Sequence, residues 1–325
     1  MTAQGFCVKS LAVIGLVFQL AAHTSAQTYP IKVVRLIVPA SPGSTSDILG
    51  RILAEGLTEI FGQQVIVDAR PGAGNNIGAE IAAKSPPDGY TLFQVATSHV
   101  VNVSLYKKLA YDLVRDFAPV TQLASVPAVV VVHPSLPVKS MSDLVKLAKA
   151  KPGAIRYASA GVGTSTFLAP ELFKRQTGID MLHVPYRGAG GAVPSVIAGE
   201  TSVYFSPVAT ALPLVQQGRL RALAVTAPKR LSMLPQYPTM AEAGYPGFQA
   251  TNWYGLMVPV NTPKETIATI RRAVIAALNN PNVSQRLSAL GFISIGNQPD
   301  EFAAQIKSDI ESLGKIMREF RVTAD

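Results

Sequence analysis

The 325-residue chain has one cysteine and few charges: 15% of its residues are Asp, Glu, Lys or Arg. Cys7 lies ahead of an apolar run from Leu11 to Ala22, so the remainder of the chain can form neither a disulfide nor a thiolate metal cluster. Four catalytic signatures are missing: G-x-x-x-x-G-K-S/T, H-E-x-x-H, C-x-x-C and G-x-S-x-G. No basic stripe is interleaved with aromatics. Lys107 and Lys108, Arg219 and Arg221, Lys229 and Arg230, and Arg271 and Arg272 are scattered pairs. A net charge of +9 arranged in this way does not point to nucleic acid, and at most helps draw in anionic ligands.

The N-terminus is distinctive. Lys9 is the only charged residue before Lys32, the apolar run follows it, and Thr24 and Ala26 are the small residues ahead of Gln27. This pattern predicts a secretory signal peptide over residues 1–26 and a periplasmic mature protein. The run is shorter than the roughly 20 residues a membrane span needs.

Beyond it, a 48% apolar composition supplies a packed core. The segments VVRLIVPA, QVIVDA, YTLFQVAT, PAVVVVHP, AIRYASA, DMLHVPY, TSVYFSP and LRALAVTA read as buried strands. Helical patterns lie between them; in the first, Ile48, Leu49, Ile52, Leu53, Leu57 and Ile60 share a face. The alternation predicts an α/β fold with largely parallel sheets. After about position 255 the pattern is helical, with GFISIG as a short strand. FAPVTQLASVPAVVVV suits a crossing between lobes, and TAPKRLSMLPQYPTMAEAGYPGF a return. The expected organisation is lobe 1 from 27–125 and 226–325, with lobe 2 inserted at 126–225.

Chemistry is sparse. GAGNNIG, Gly72 to Gly78, has the wrong spacing for a dinucleotide fingerprint and reads as a tight loop and helix start. His99, His133 and His183 lie in or beside strands and read as structural. No spacing couples a nucleophile to a base, so a hydrolase is a weak reading. The loops at strand ends carry more. In PASPGSTSDILGR, Ser44 can cap a helix with Asp47 three residues on, and Asp47 faces Arg51 one turn later. Asp47 is therefore a helix-starting residue, and the Ser41–Thr45 backbone and hydroxyls are left to contact a ligand. Similar loops follow at Ser159–Ser165, Val95–His99 and Tyr204–Thr210. Two lobes presenting such loops to a shared cleft make a clamp that donates hydrogen bonds to an anion.

The chain resembles the Bug-type extracytoplasmic receptors, the substrate-binding proteins of tripartite tricarboxylate transporters. The resemblance runs from about Tyr29 to the C-terminus through YPIKVVRLIVPASPGSTSDILGR, VIVDARPGAGNNIGAE, SPPDGYTL, DFAPVTQLA, HVPYRGAG, RLRALAVTAPKR and PTMAEAGYPGF. It implies a two-lobed periplasmic-binding-protein-like fold of type II, closing on a small carboxylate without covalent chemistry, cofactor or metal. It implies a membrane permease as partner and a monomeric receptor. By position, the ligand-binding residues would be Ser41, Pro42, Gly43, Ser44, Thr45, Ser46, Thr97 and Ser98 from the first lobe. The second lobe would supply Ser159, Ala160, Gly163, Thr164, Ser165, Phe205 and Ser206, with Tyr186 and Arg187 as supports. Relatives commonly carry His at Phe167, Asp at Ser206 and a second glycine at Ser44, and Pro170 falls inside an expected helix. The departures at Ser206 and Phe167 favour a dicarboxylate or aromatic carboxylate, with an apolar or aromatic body, over an amino acid. Alternatives are a ligand-sensing partner of a membrane signalling protein, or a secreted hydrolase on a related scaffold.

Overall fold

The computed structural model describes residues 29–248 and 250–320; the expected signal peptide lies outside the described residues. The first strands are β1 (Val34–Val38), β2 (Val65–Ala69) and β3 (Thr91–Ala96), with helices α1 (Thr45–Phe61), α2 (Asn76–Ala83) and α3 (Thr97–Leu105). The long β4 (Phe117–Val132) follows, then α4 (Met141–Ala150), β5 (Arg156–Ser159) and α5 (Ser165–Thr177). Next come β6 (Leu182–Pro185), α6 (Ala189–Ile197), β7 (Val203–Pro207), α7 (Val208–Gln216) and β8 (Arg221–Val225). The chain ends with β9 (Thr251–Pro259), α8 (Lys264–Asn279), α9 (Pro281–Ala289), β10 (Ile293–Ser294) and α10 (Pro299–Phe320). Among the described residues no helix is long and apolar enough to cross a membrane.

Local chemistry sets these boundaries. Ser44 precedes α1 in an extended conformation and its side chain accepts the Asp47 amide, while Gly62 ends the helix in the left-handed region. Leu49, Ile52, Leu53 and Leu57 bury the inner face, each contributing about 2 kcal/mol by burial. Ile60, expected on that face, is 42% exposed. Pro170 sits inside α5, whose N-cap is Thr164.

The strands run in the order β2-β1-β3-β9-β4-β7-β5-β6, with β8 and β10 also on β4. Among the described residues, parallel strand-to-strand pairing is confined to β1 with β2 and β3, and β5 with β6 and β7. Every pairing of β4 and β9 is antiparallel. The expectation of largely parallel sheets therefore holds only on the flanks. The centre differs because the chain leaves the first sheet along β4 and comes back beside it along β9. Strand β9 was absent from the sequence reading.

The crossing is sharply placed. Pro127 still pairs with Thr251 of β9, whereas Ala128 already pairs with Pro207 of β7. The Thr226 hydroxyl accepts from Ala128 N (2.8 Å) and donates to Ala250 O (2.8 Å), tying three strands at the change-over. Met240 and Phe248 are buried with Tyr157, Phe173 and Phe205 in the second-lobe core. Ala227 and Leu234 of the same stretch belong to the larger core that runs through both sheets, and the chain re-enters the first sheet at Thr251.

Candidate functional site

A cavity of about 600 Å³ opens where the strand ends of both lobes meet, within the roughly 300–1,000 Å³ range of small-molecule sites. Its wall carries the starts of α1, α3, α5 and α6 and the Gly72–Asn75 turn. The first amides of a helix have no intrahelical acceptor, and the aligned dipoles make these ends favourable for an anion. Thr45 Oγ1 lies 2.7 Å from Thr210 Oγ1 of α7, a hydrogen bond that joins the two lobes across the cavity.

Of the sequence-predicted residues, Ser41, Ser44, Thr45, Ser46, Ser98, Ala160, Thr164 and Ser165 line this wall. Tyr186 and Arg187 join them. The others do not. Pro42 and Gly43 are exposed at the outside of the turn, and the Gly43 amide donates to Asp47 Oδ2 at 2.9 Å. Asp47, 3% exposed, also receives Arg51 Nε at 2.9 Å, as expected of a helix-starting residue. The Ser44 amide donates to Ser41 O. The Thr45 and Ser46 amides thus remain at this helix end, fewer than the whole loop was expected to offer.

Thr97 Oγ1 accepts from Trp253 N at 3.0 Å and lines a small apolar side pocket with Phe205 and Leu168. Ser159 is fully buried, bonded to His183 Nε2 at 2.7 Å and accepting from Gly161 N at 3.1 Å. Gly163 abuts Asn102. Phe205 points into the second-lobe core, and Ser206 Oγ donates to Pro207 O at 3.1 Å.

Hydroxyl protons decide what the wall can offer. Thr164 Oγ1 donates to Gly161 O at 2.7 Å and lies 2.8 Å from Thr166 Oγ1, which accepts the Ala160 amide at 2.9 Å. These groups are spent on the loop itself. Ser46 Oγ and Ser98 Oγ accept from Gln94 Nε2 (2.8 Å) and Asn75 Nδ2 (2.9 Å). Each hydroxyl is thereby left with a proton to give.

Sequence reasoning missed Thr166, Asn252, Tyr254 and the Gly72–Asn75 turn, and it marked the Tyr204–Thr210 loop without singling out Tyr204 and Thr210. Tyr204 and Tyr254 are 1% and 3% exposed at the cavity floor. Burial, first among the causes, pushes both phenols above their ordinary value, so they stay neutral donors. The sequence of the turn points only to a structural role. Positive φ at Ala73 (47°) and Asn75 (82°) marks it as strained, and such strain concentrates at functional sites. Asn102 Nδ2 supports it by donating to Gly74 O (2.8 Å) and Asn76 Oδ1 (2.9 Å). Arg187 is the only charged residue in the wall and makes no ion pair among the described residues.

A model of the tripartite tricarboxylate transporter family receptor, TctC, matches residues 49–322. The chain belongs to this family. It is 35% identical to Protein BugT of Bordetella pertussis over 316 residues, covering 96% of this chain and 97% of that one. Among solved structures it resembles Rpa4515 of R. palustris with adipate: TM-score 0.86, 33% identity, 89% of this chain and 97% of that one. It also resembles MatC of Rhodopseudomonas palustris with bound malate: TM-score 0.84, 28% identity, 89% and 99% coverage. The two-lobed receptor fold expected from the sequence is therefore shown, and with it the Bug-type resemblance.

Two expectations about this family member change. Phe167 does not face the cavity; it is buried against His183, with ring centroids 5.0 Å apart. The Ser206 hydroxyl is turned onto the backbone. Neither residue lines the cavity. His183 stacks on Tyr157 at 4.8 Å, and burial lowers its pKa to about 4.

Proposed function

We propose that this TctC-family protein is a periplasmic receptor that captures a small dicarboxylate between its lobes and delivers it to a tripartite permease, working as a monomer without catalysis. One observation carries the reading: the N-termini of α1, α3, α5 and α6 open into a cavity in which Arg187 is the only charged wall residue among the described residues and makes no ion pair with them. An anion gains from the helix ends about 0.3–1 kcal/mol each when exposed, and up to about 2 when partly buried. Hydrogen bonds to its oxygens add roughly 1.5–3 kcal/mol each. The wall holds no carboxylate to pair with a ligand ammonium, which favours non-amino acids. The bound adipate and malate of the two relatives fit this chemistry.

The Ser159–His183 pair has the make-up of a hydrolytic dyad. Ser159 is fully buried outside the cavity wall and its oxygen already accepts the Gly161 amide, which favours a structural role and a receptor over a hydrolase. A thermal-shift panel of mono-, di- and tricarboxylates, aspartate, glutamate and neutral sugars tests the proposal. Dicarboxylates at about 100 times Kd are expected to add about 2.7 kcal/mol of stability. Stabilisation by neutral sugars alone refutes the anion reading, and turnover of a bound carboxylate refutes the receptor reading.

A further inference from the structure

The lobes also meet at a seam outside the cavity. Val101 and Leu105 of α3, in the first lobe, pack with Phe167 and Leu168 of α5, in the second, and with Met317 of α10. Their exposures are 1%, 1%, 2%, 7% and 1%, yet none lines the cavity. Helix α5 has two apolar faces. Ala169 and Phe173, one turn apart, fill its own lobe's core with Tyr157 and Phe205, while Phe167 and Leu168 face the first lobe. The seam continues outward as an ion pair between Arg175 of α5 and Glu319 of α10. Beside it, Gly163 approaches so closely that an added Cβ would meet Asn102 and Leu105.

We propose that this seam is a latch that sets ligand affinity: Phe167, Leu168 and Met317 hold the lobes shut and slow release without touching the ligand. The physical basis is the share of this burial that exists only while the lobes are together, since Phe167 also packs on His183 of its own lobe. Parting them would expose both sides of a closely packed apolar contact to water, which is unfavourable in proportion to its area. Because the latch acts on closure, it scales the affinity of every ligand by the same factor. It is a positioning device for the receptor reading above, on which its role in affinity rests.

The test combines a ligand-free measurement with a kinetic one. Residues 27–325 contain no cysteine, so Ile60→Cys and Leu182→Cys, exposed and in different lobes, take spin labels specifically. In ligand-free protein, Phe167→Ala and Met317→Ala are each expected to lengthen the interlobe distance distribution. Phe167→Leu, which keeps an apolar side chain, should restore it. With adipate and malate as probes, both alanine variants should raise Kd by about 10- to 100-fold. The change should lie in the dissociation rate, and the adipate-to-malate ratio should stay fixed. An unchanged distance distribution overturns the latch whatever the ligand results. A changed ratio also overturns it, because Phe167 would then touch the ligand. A lengthened distribution with no carboxylate binding to the parent protein keeps the latch as a closure contact and removes the carboxylate reading instead. Molar ellipticity and cooperative melting establish that each variant is folded.

Discussion

Replacing Gly163 with alanine isolates the approach of the two lobes in one atom. The new Cβ would lie 2.2 Å from Asn102 Oδ1 and 2.9 Å from Leu105 Cδ2, at a backbone φ of +85°. Asn102 cannot swing away freely, since it is fully buried and its amide holds Gly74 O and Asn76 Oδ1. The left-handed backbone costs alanine about 1–2 kcal/mol, and losing the two Asn102 bonds costs about 1 kcal/mol each. Opening the lobes relieves the clash but not the backbone strain. The perturbation should therefore divide: about 1–2 kcal/mol from chemical-denaturation stability, and about 2 kcal/mol, or roughly 30-fold, from ligand affinity. Gly178→Ala is the control, because Gly178 also has positive φ (+66°) but an added Cβ meets nothing within 4 Å. It should lose stability alone. Calorimetric titration of both variants with adipate and malate decides the matter. Equal affinities for Gly163→Ala and Gly178→Ala would refute the idea that Gly163 marks a closed interface.

Other perturbations address separate parts of the molecule. Ser44→Ala removes the hydroxyl that accepts the Asp47 amide and should lower unfolding free energy by about 1 kcal/mol, read by urea titration. Arg187→Gln should weaken carboxylate binding by about fivefold and flatten its dependence on salt, since the side chain is exposed and screened. His99 is fully buried beside Phe93, Ala96 and Asn75, and burial pulls its pKa down to about 4. The unfolded chain takes up a proton below about pH 6.5 while the folded state stays neutral, so stability should fall as pH drops from 6.5 towards 4. The contribution is up to about 3 kcal/mol; a flat urea midpoint across that window would contradict the buried, neutral imidazole.

Much of the scaffold was legible because its chemistry is local. Val129 to Val132 and the other β-branched runs announce strands, and Ser44 and Asp47 announce the start of α1. Strand β9 was not legible: all but its first residue are buried, so the apolar–polar alternation that reveals a half-exposed strand is missing. In the site, hydroxyls at helix starts could be read as wall residues, as Ser46, Ser98 and Ser165 show. Direction within a strand could not. In β7, Tyr204 and Pro207 reach the cavity, whereas Phe205 and Ser206 do not. Which of these faces the ligand depends on pairing with β4 and on the turn of a single hydroxyl. Phe167 is the clearest case. Its position matches a ligand-facing one, but its side chain is committed to a contact between lobes that no local pattern encodes.

The knot of hydrogen bonds at Thr226 has a consequence for how the molecule is made. The first sheet is incomplete without β9, and β9 is separated from β3 by more than 150 residues of intervening chain. A ribosome or a secretion pore delivers the N-terminal strands long before their central partner exists. The buried core around Tyr157, Phe173, Phe205 and Met240 has all its members once residue 248 has emerged. Assembly should thus run from the inside of the sequence outward, with the inserted lobe as the template on which β4 is already extended when β9 arrives. Truncations that end before Thr251 should leave a folded lobe 2 attached to an unpaired, aggregation-prone half-sheet.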